Sequence, residues 1–103
     1  MSETLVSAAW KGGKTLITFG PTLDVRCATD LKKKMSACLK RKPPFELDGG
    51  QVDRVDTAGL QVLLAFVTTA RSRGIELSWQ RASDSLKNAA RLIDLQDQLG
   101  IIA

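Results

Sequence analysis

The spacing of apolar residues switches repeatedly between a strand period and a helix period, and the order of those switches restricts the fold more than any other feature. Leu5, Val6, Ala8, Ala9 and Trp10, then Lys11-Gly12-Gly13-Lys14, then Leu16-Ile17-Thr18-Phe19 predict two short strands joined by a glycine turn. Gly20 and Pro21 stop this hairpin. From about Asp24 the spacing is helical, with Cys27, Ala28, Leu31, Met35, Cys38 and Leu39 on one stripe, and Pro43-Pro44 ends the helix. Phe45-Glu46-Leu47-Asp48 alternates as a strand, and Gly49 to Val55 reads as a loop with inward-pointing positions at Val52 and Val55. Ala58 to Arg73 is helical again, with Leu60, Leu63, Leu64 and Val67 as its buried stripe, and Gly74 closes it ahead of an alternating strand, Ile75 to Trp79. Ser83 or Asp84 caps a third helix carrying Leu86, Ala89, Ala90 and Ile93, and Leu95, Leu99, Ile101 and Ile102 form a last short apolar segment.

Strands joined through a helix usually run parallel, whereas a hairpin pair is antiparallel, so the expected architecture is an α/β layer fold around a mixed sheet. A chain of 103 residues, 44% hydrophobic, matches one compact domain spanning residues 1–103.

Several function classes lose their chemistry at once. The chain has no histidine, which removes the commonest general base, the usual catalytic triads and most zinc sites. Phosphate-binding glycine loops are absent, and Gly12-Gly13 and Gly49-Gly50 read as turns. Asp53 and Asp56 have no evident partner for acid/base hydrolysis, so neither catalysis nor a bound metal or cofactor is expected. Cys27 and Cys38, eleven residues apart in one predicted helix, lie about 16 Å apart at the helical rise, too far for a disulfide within it. They read as small, largely buried core residues with free thiols, which fits a reducing, cytoplasmic location. No run reaches the roughly 20 apolar residues of a membrane helix, and Met1 to Trp10 holds an acid and no basic leader, so direct membrane insertion is not expected.

The net charge of +4 is modest, and much of the positive charge is concentrated in Lys32-Lys33-Lys34 and Lys40-Arg41-Lys42. Without interleaved aromatics or a reading motif, these clusters read as the solvated face of an amphipathic helix and not as a nucleic-acid site.

The segment Val55-Asp56-Thr57-Ala58-Gly59-Leu60 stands apart. In its simplest reading it is a helix start, where Asp56 or Thr57 accepts a bond from a free backbone N–H. Gly59, however, sits in the first turn, where glycine costs about 0.5–1 kcal/mol against alanine, so a close approach by another backbone or by a partner is the expected reason for it. At 100° per residue, Val62, Ala65 and Phe66 fall outside the core stripe, so either a neighbouring helix or another protein covers them.

The run Leu47-Asp48, Val52, Val55 to Leu60, Leu63-Leu64 and Arg73-Gly74 resembles the strand, the Asp-Ser/Thr-x-Gly-Leu signature and the following helix of single-domain bacterial STAS proteins, including anti-sigma-factor antagonists. The resemblance implies a four-stranded mixed sheet with helices mainly on one face. It also implies a non-enzymatic regulatory module that docks on a kinase-like anti-sigma factor and is released when the signature hydroxyl is phosphorylated. Antagonists commonly carry two hydroxyls there, whereas this chain has Thr57 followed by Ala58, which makes Thr57 the phosphorylation candidate. The lead-in Gly20 to Asp24 is one residue longer than in antagonists. Asp-Thr-Ala-Gly-Leu-Gln is also similar to STAS proteins of chemotaxis clusters, and Val-Asp-Thr-x-Gly-Leu to the cytosolic STAS subunit of a lipid-transport ABC complex. The implied partner is thus an anti-sigma kinase, a chemotaxis signalling protein or a transporter ATPase. The partner-binding residues carried over are Asp24, Asp56, Thr57, Ala58, Gly59, Val62 and Phe66.

Overall fold

A computed structural model describes residues 5–101. Met1 to Thr4 and Ile102, which the sequence assigns to the N-terminal segment and the last apolar segment, lie outside them. Strands β1 (Val6–Lys11) and β2 (Lys14–Phe19) form the antiparallel hairpin, and Gly12 and Gly13 both take positive φ, 61° and 82°, at its turn. Two successive left-handed residues give a turn whose twist matches the strands it joins. Next come β3 (Thr22–Leu23), α1 (Ala28–Cys38), β4 (Phe45–Gly49), β5 (Arg54–Val55), α2 (Thr57–Ser72), β6 (Leu77–Ala82), α3 (Asp84–Leu92) and α4 (Gln96–Leu99). The main sheet has the order β1-β2-β4-β6, with β2-β4 and β4-β6 parallel. The mixed sheet expected from the strand and helix periods is present, with the helices packed on it.

Alternation fixes which face the helices cover. Ala8, Ile17, Leu47 and Trp79 stand in one cross-strand row, and Thr15, Phe45 and Leu77 in the next, on the face that meets the helices. Leu16, Glu46 and Ser78 take the opposite face, where Lys14 pairs with Glu46 at 2.9 Å. Leu31, Met35 and Cys38 from α1, Leu60, Leu63, Phe66 and Val67 from α2, Leu86 and Ala90 from α3 and Leu99 from α4 complete one core. Each fully buried leucine contributes about 1.5–3 kcal/mol.

Some boundaries differ from the sequence reading. Helix α1 begins at Ala28 and not near Asp24, because Asp24 to Cys27 close a turn in which the Cys27 N–H donates to the Asp24 carbonyl at 2.9 Å. Cys27 is therefore only half-buried, and the expectation that both thiols are buried holds for Cys38 alone. Leu64 is half-buried, while its stripe-mates Leu60, Leu63 and Val67 are buried. The last sheet strand runs later than expected, from Leu77 to Ala82, and an irregularity between the Leu47 and Asp48 pairings brings Arg81 opposite Asp48.

Gly20 to Asp24 and Gly49 to Val55, both without periodicity in the sequence, meet in a two-residue parallel clip that pairs Thr22 with Arg54 and Leu23 with Val55. The Asp53 and Arg54 N–H groups both donate to the Pro21 carbonyl, at 2.8 and 2.9 Å. This clip sets the starts of α1 and α2 side by side.

Candidate functional site

Asp56 follows β5 in an extended conformation and caps α2. Its Oδ1 accepts from the Gly59 N–H at 3.1 Å, and its Oδ2 accepts from the Val25 N–H at 2.9 Å. One carboxylate thus caps α2 and holds the loop leading into α1. With both oxygens engaged by backbone donors, Asp56 ties the two loops of the site together, and Asp53, three residues earlier, is exposed.

Gly59 lies under the same clip. A Cβ there would collide with the Leu23 carbonyl oxygen and stand 2.9 Å from the carbonyl carbon. The close approach anticipated for this glycine is therefore by the chain's own backbone.

The cap belongs to Asp56, which leaves Thr57 exposed as the first helical residue with its hydroxyl outside the cap. Val25, tied to the Asp56 cap through its N–H, leaves a large apolar side chain 67% exposed. Ala58 and Val62 follow along α2, half-buried, and Ala65 is exposed. With Met35, Leu39 and Phe66 these residues line an open groove of about 490 Å³ between α1 and α2. The remaining N–H groups of the first turn are free to take an acceptor, and the Asp56 carboxylate already sets a negative charge against the helix dipole at the Thr57 end.

Asp24 is arranged otherwise. It is 7% exposed, its Oδ1 accepts from the Arg26 N–H at 3.0 Å, and its Oδ2 accepts from Arg26 Nη2 at 2.7 Å. The Arg26 hydrogen bond holds the carboxyl below the usual carboxylate range. Asp24 shapes the loop and presents Arg26, whose side chain is 73% exposed.

Phe66 requires a correction. It is 3% exposed and stacks on Phe45 with ring centroids 5.8 Å apart, so it belongs to the core and forms the groove floor. The reason is that α2 packs on the sheet and on α1 together, which widens its buried arc beyond one stripe. The structure thus gathers Asp56, Thr57, Ala58 and Val62 over a backbone contact at Gly59, withdraws Asp24 and buries Phe66. Val25, Ser36 and Gln61 join the surface without having been singled out, because a lone loop valine and polar helix residues carry no periodic signal, and Lys32, read from the sequence as part of a solvated face, lines the groove.

A family model described as Mlab, STAS domain, matches residues 6–102, nearly all of the described chain. The chain belongs to the STAS family. The solved structure of a sulfate transporter family protein from Wolinella succinogenes is similar to this STAS domain, with a TM-score of 0.66 at 22% identity over 82% of this chain and 70% of the other. At that identity the likeness is one of fold. No curated protein gives a significant match. STAS domains are protein-interaction and regulatory domains, and the signature of this one occupies the start of α2 described above. Among the described residues no helix is long and apolar enough to cross a membrane.

Proposed function

We propose that this STAS domain is a non-enzymatic docking module that binds a kinase-like or signalling protein through the start of α2, and that phosphorylation of Thr57 releases the partner. The observation that carries the reading is the exposure of Thr57 at the capped helix end, flanked by exposed Val25 and by the groove that leads away past Ala58 and Val62. An apolar surface of this kind next to a free hydroxyl suits a partner that buries the hydroxyl neutral. A phosphate there would reach free first-turn N–H groups, yet it would stand beside the Asp56 carboxylate and place about −1.5 to −2 charges in the interface.

A second reading is a cytosolic STAS subunit bound permanently to the ATPase of a lipid-transport ABC complex. Ala58 favours it, because the signature retains a single hydroxyl and a permanent subunit needs no switch.

Capture from the native cell with wild-type and Thr57→Glu baits, read by mass spectrometry, tests both. The switched module predicts a kinase-like or signalling protein on the wild-type bait alone, together with a phosphorylated Thr57 peptide in cells. A transporter ATPase recovered with no phosphorylated Thr57 supports the second reading, equal recovery of a kinase-like or signalling protein on both baits contradicts the switch, and a wild-type bait that captures neither class of protein contradicts both.

A further inference from the structure

The two helices that start side by side leave a groove whose walls differ in charge. On the α1 side Lys32 lines the groove, while Lys33, also exposed, stands four residues beyond the lining residue Thr29. Residues four apart share a helix face, so two ammonium groups edge this wall. The acid of α1, Asp30, lies about 160° around the helix from Lys32 and about 60° from Lys33, so Lys32 is the lysine it leaves uncompensated. Helix α2 contains neither Asp nor Glu between Thr57 and Ser72 and offers Gln61, Ala65 and Thr69 to the opposite wall. From Ala28 to Leu39, and from Ala58 to Thr69, the groove runs for about 16 Å, or about three helical turns.

We infer that this groove receives an acidic amphipathic helix of the partner protein, its apolar stripe over Leu39, Val62 and Ala65, above the buried floor of Met35 and Phe66, and its carboxylates along the lysine wall. The inference rests on the docking reading and names the chemistry of what docks. A helix laid in an apolar groove presents anchors at i, i+3, i+4 and i+7, and three turns supply that set. The one-sided lysine row also orients the occupant, because opposite charges steer encounter and fix register. A second copy of this chain is a poor occupant, since a two-fold contact would bring the same lysines together within a Debye length of about 8 Å.

The test titrates the isotope-labelled full chain with a capped peptide of about 14 residues, leucines on one stripe and glutamates beside it, and with a twin carrying lysines in place of the glutamates. The glutamate peptide is expected to shift the amides of Lys32, Ser36, Gln61, Val62 and Thr69, with the twin binding at least about tenfold more weakly. Lys32→Glu with Lys33→Glu, both at exposed helix positions, is expected to invert that preference with an unchanged melting curve. Equal binding of the two peptides, shifts outside the groove, or no shifts at millimolar peptide would overturn the inference. So would groove amides that respond to phosphatidylserine vesicles or to self-association while ignoring the peptide. If Thr57→Glu abolishes the cellular complex and the lysine reversal does not, the docking face stands and the acidic helix falls; if neither weakens it, the docking face itself falls.

Discussion

The carbonyl of Leu23 and the α-carbon of Gly59 approach so closely that no side chain fits between them. Gly59→Ala gains helix propensity of about 1 kcal/mol, yet it forces the clip and the helix start apart, and overpacking of this kind costs about 1–3 kcal/mol. The backbone on the other side of the contact has little freedom to give way, so a lower melting temperature is expected in a thermal scan, by several degrees for a domain of this size. Asp48 offers a second test at this scale. Buried at 4% exposure, its Oδ2 accepts from Arg81 Nη2 at 2.6 Å and its Oδ1 from the Gly50 N–H at 2.9 Å. Burial pushes its carboxyl up, but the Arg81 hydrogen bond, the Gly50 bond and the Arg81 charge together outweigh burial and hold it below the usual range. A depressed folded-state value means stability that is present above the ordinary carboxylate range, about pH 4, and lost as pH falls through the folded value. Removing Arg81 leaves burial dominant and reverses that sign. Arg81→Ala should therefore be less stable than wild type at pH 7, with a deficit that begins to narrow above the ordinary carboxylate range, where Asp48 of the variant takes up its proton, and goes on narrowing until the depressed value of the wild type is passed. Denaturant midpoints across that range would show it, and a constant deficit would count against the pairing.

At the scale of elements, α2 owes its two roles to packing on two partners. The 3.6-residue period exposed its existence, its end near Arg73 and the core positions Leu60, Leu63 and Val67. It did not show that α1 widens the buried arc to take in Phe66, because that depends on how two helices lie on a sheet. Phe66→Ala should accordingly act first on stability, costing about 3–5 kcal/mol, since it removes a buried ring stacked on Phe45. Circular dichroism melting checks this, and a variant that melts like wild type would put the ring at the surface. The start of α1 was misplaced for a related reason. Asp24 to Cys27 satisfy their hydrogen bonds in a turn, while the apolar spacing of Cys27 and Leu31 mimics one more helical step. Its consequence is chemical: burial pushes the Cys38 thiol up, whereas Cys27 is half-buried. A thiol reagent under native conditions should modify Cys27 much faster than Cys38, and equal rates would contradict the placement.

Across the whole molecule, the alternation of strands and helices made the mixed sheet legible, and the signature run made the family legible. The two-residue clip was not, because two residues cannot express a period, and with it went the reason that α1 and α2 begin together. The candidate site was half legible. Asp56, Thr57 and Gly59 are marked by residue type at a helix start, whereas Val25 and the lysine wall reach the same surface only through the fold. The central claim is that this surface is where a protein partner sits. Thr57→Glu interrogates it with little structural cost, because Asp56 makes the cap and an acid is tolerated in the first turn of a helix. The decisive measurement is isothermal calorimetry of the captured partner with wild type, Thr57→Ala and Thr57→Glu, each with its melting curve. A charge buried in the interface costs several kcal/mol, so the expected result is affinity lost by orders of magnitude in Thr57→Glu, near-wild-type affinity in Thr57→Ala, and superimposable melting curves. Unchanged affinity in Thr57→Glu with the fold intact would contradict the account.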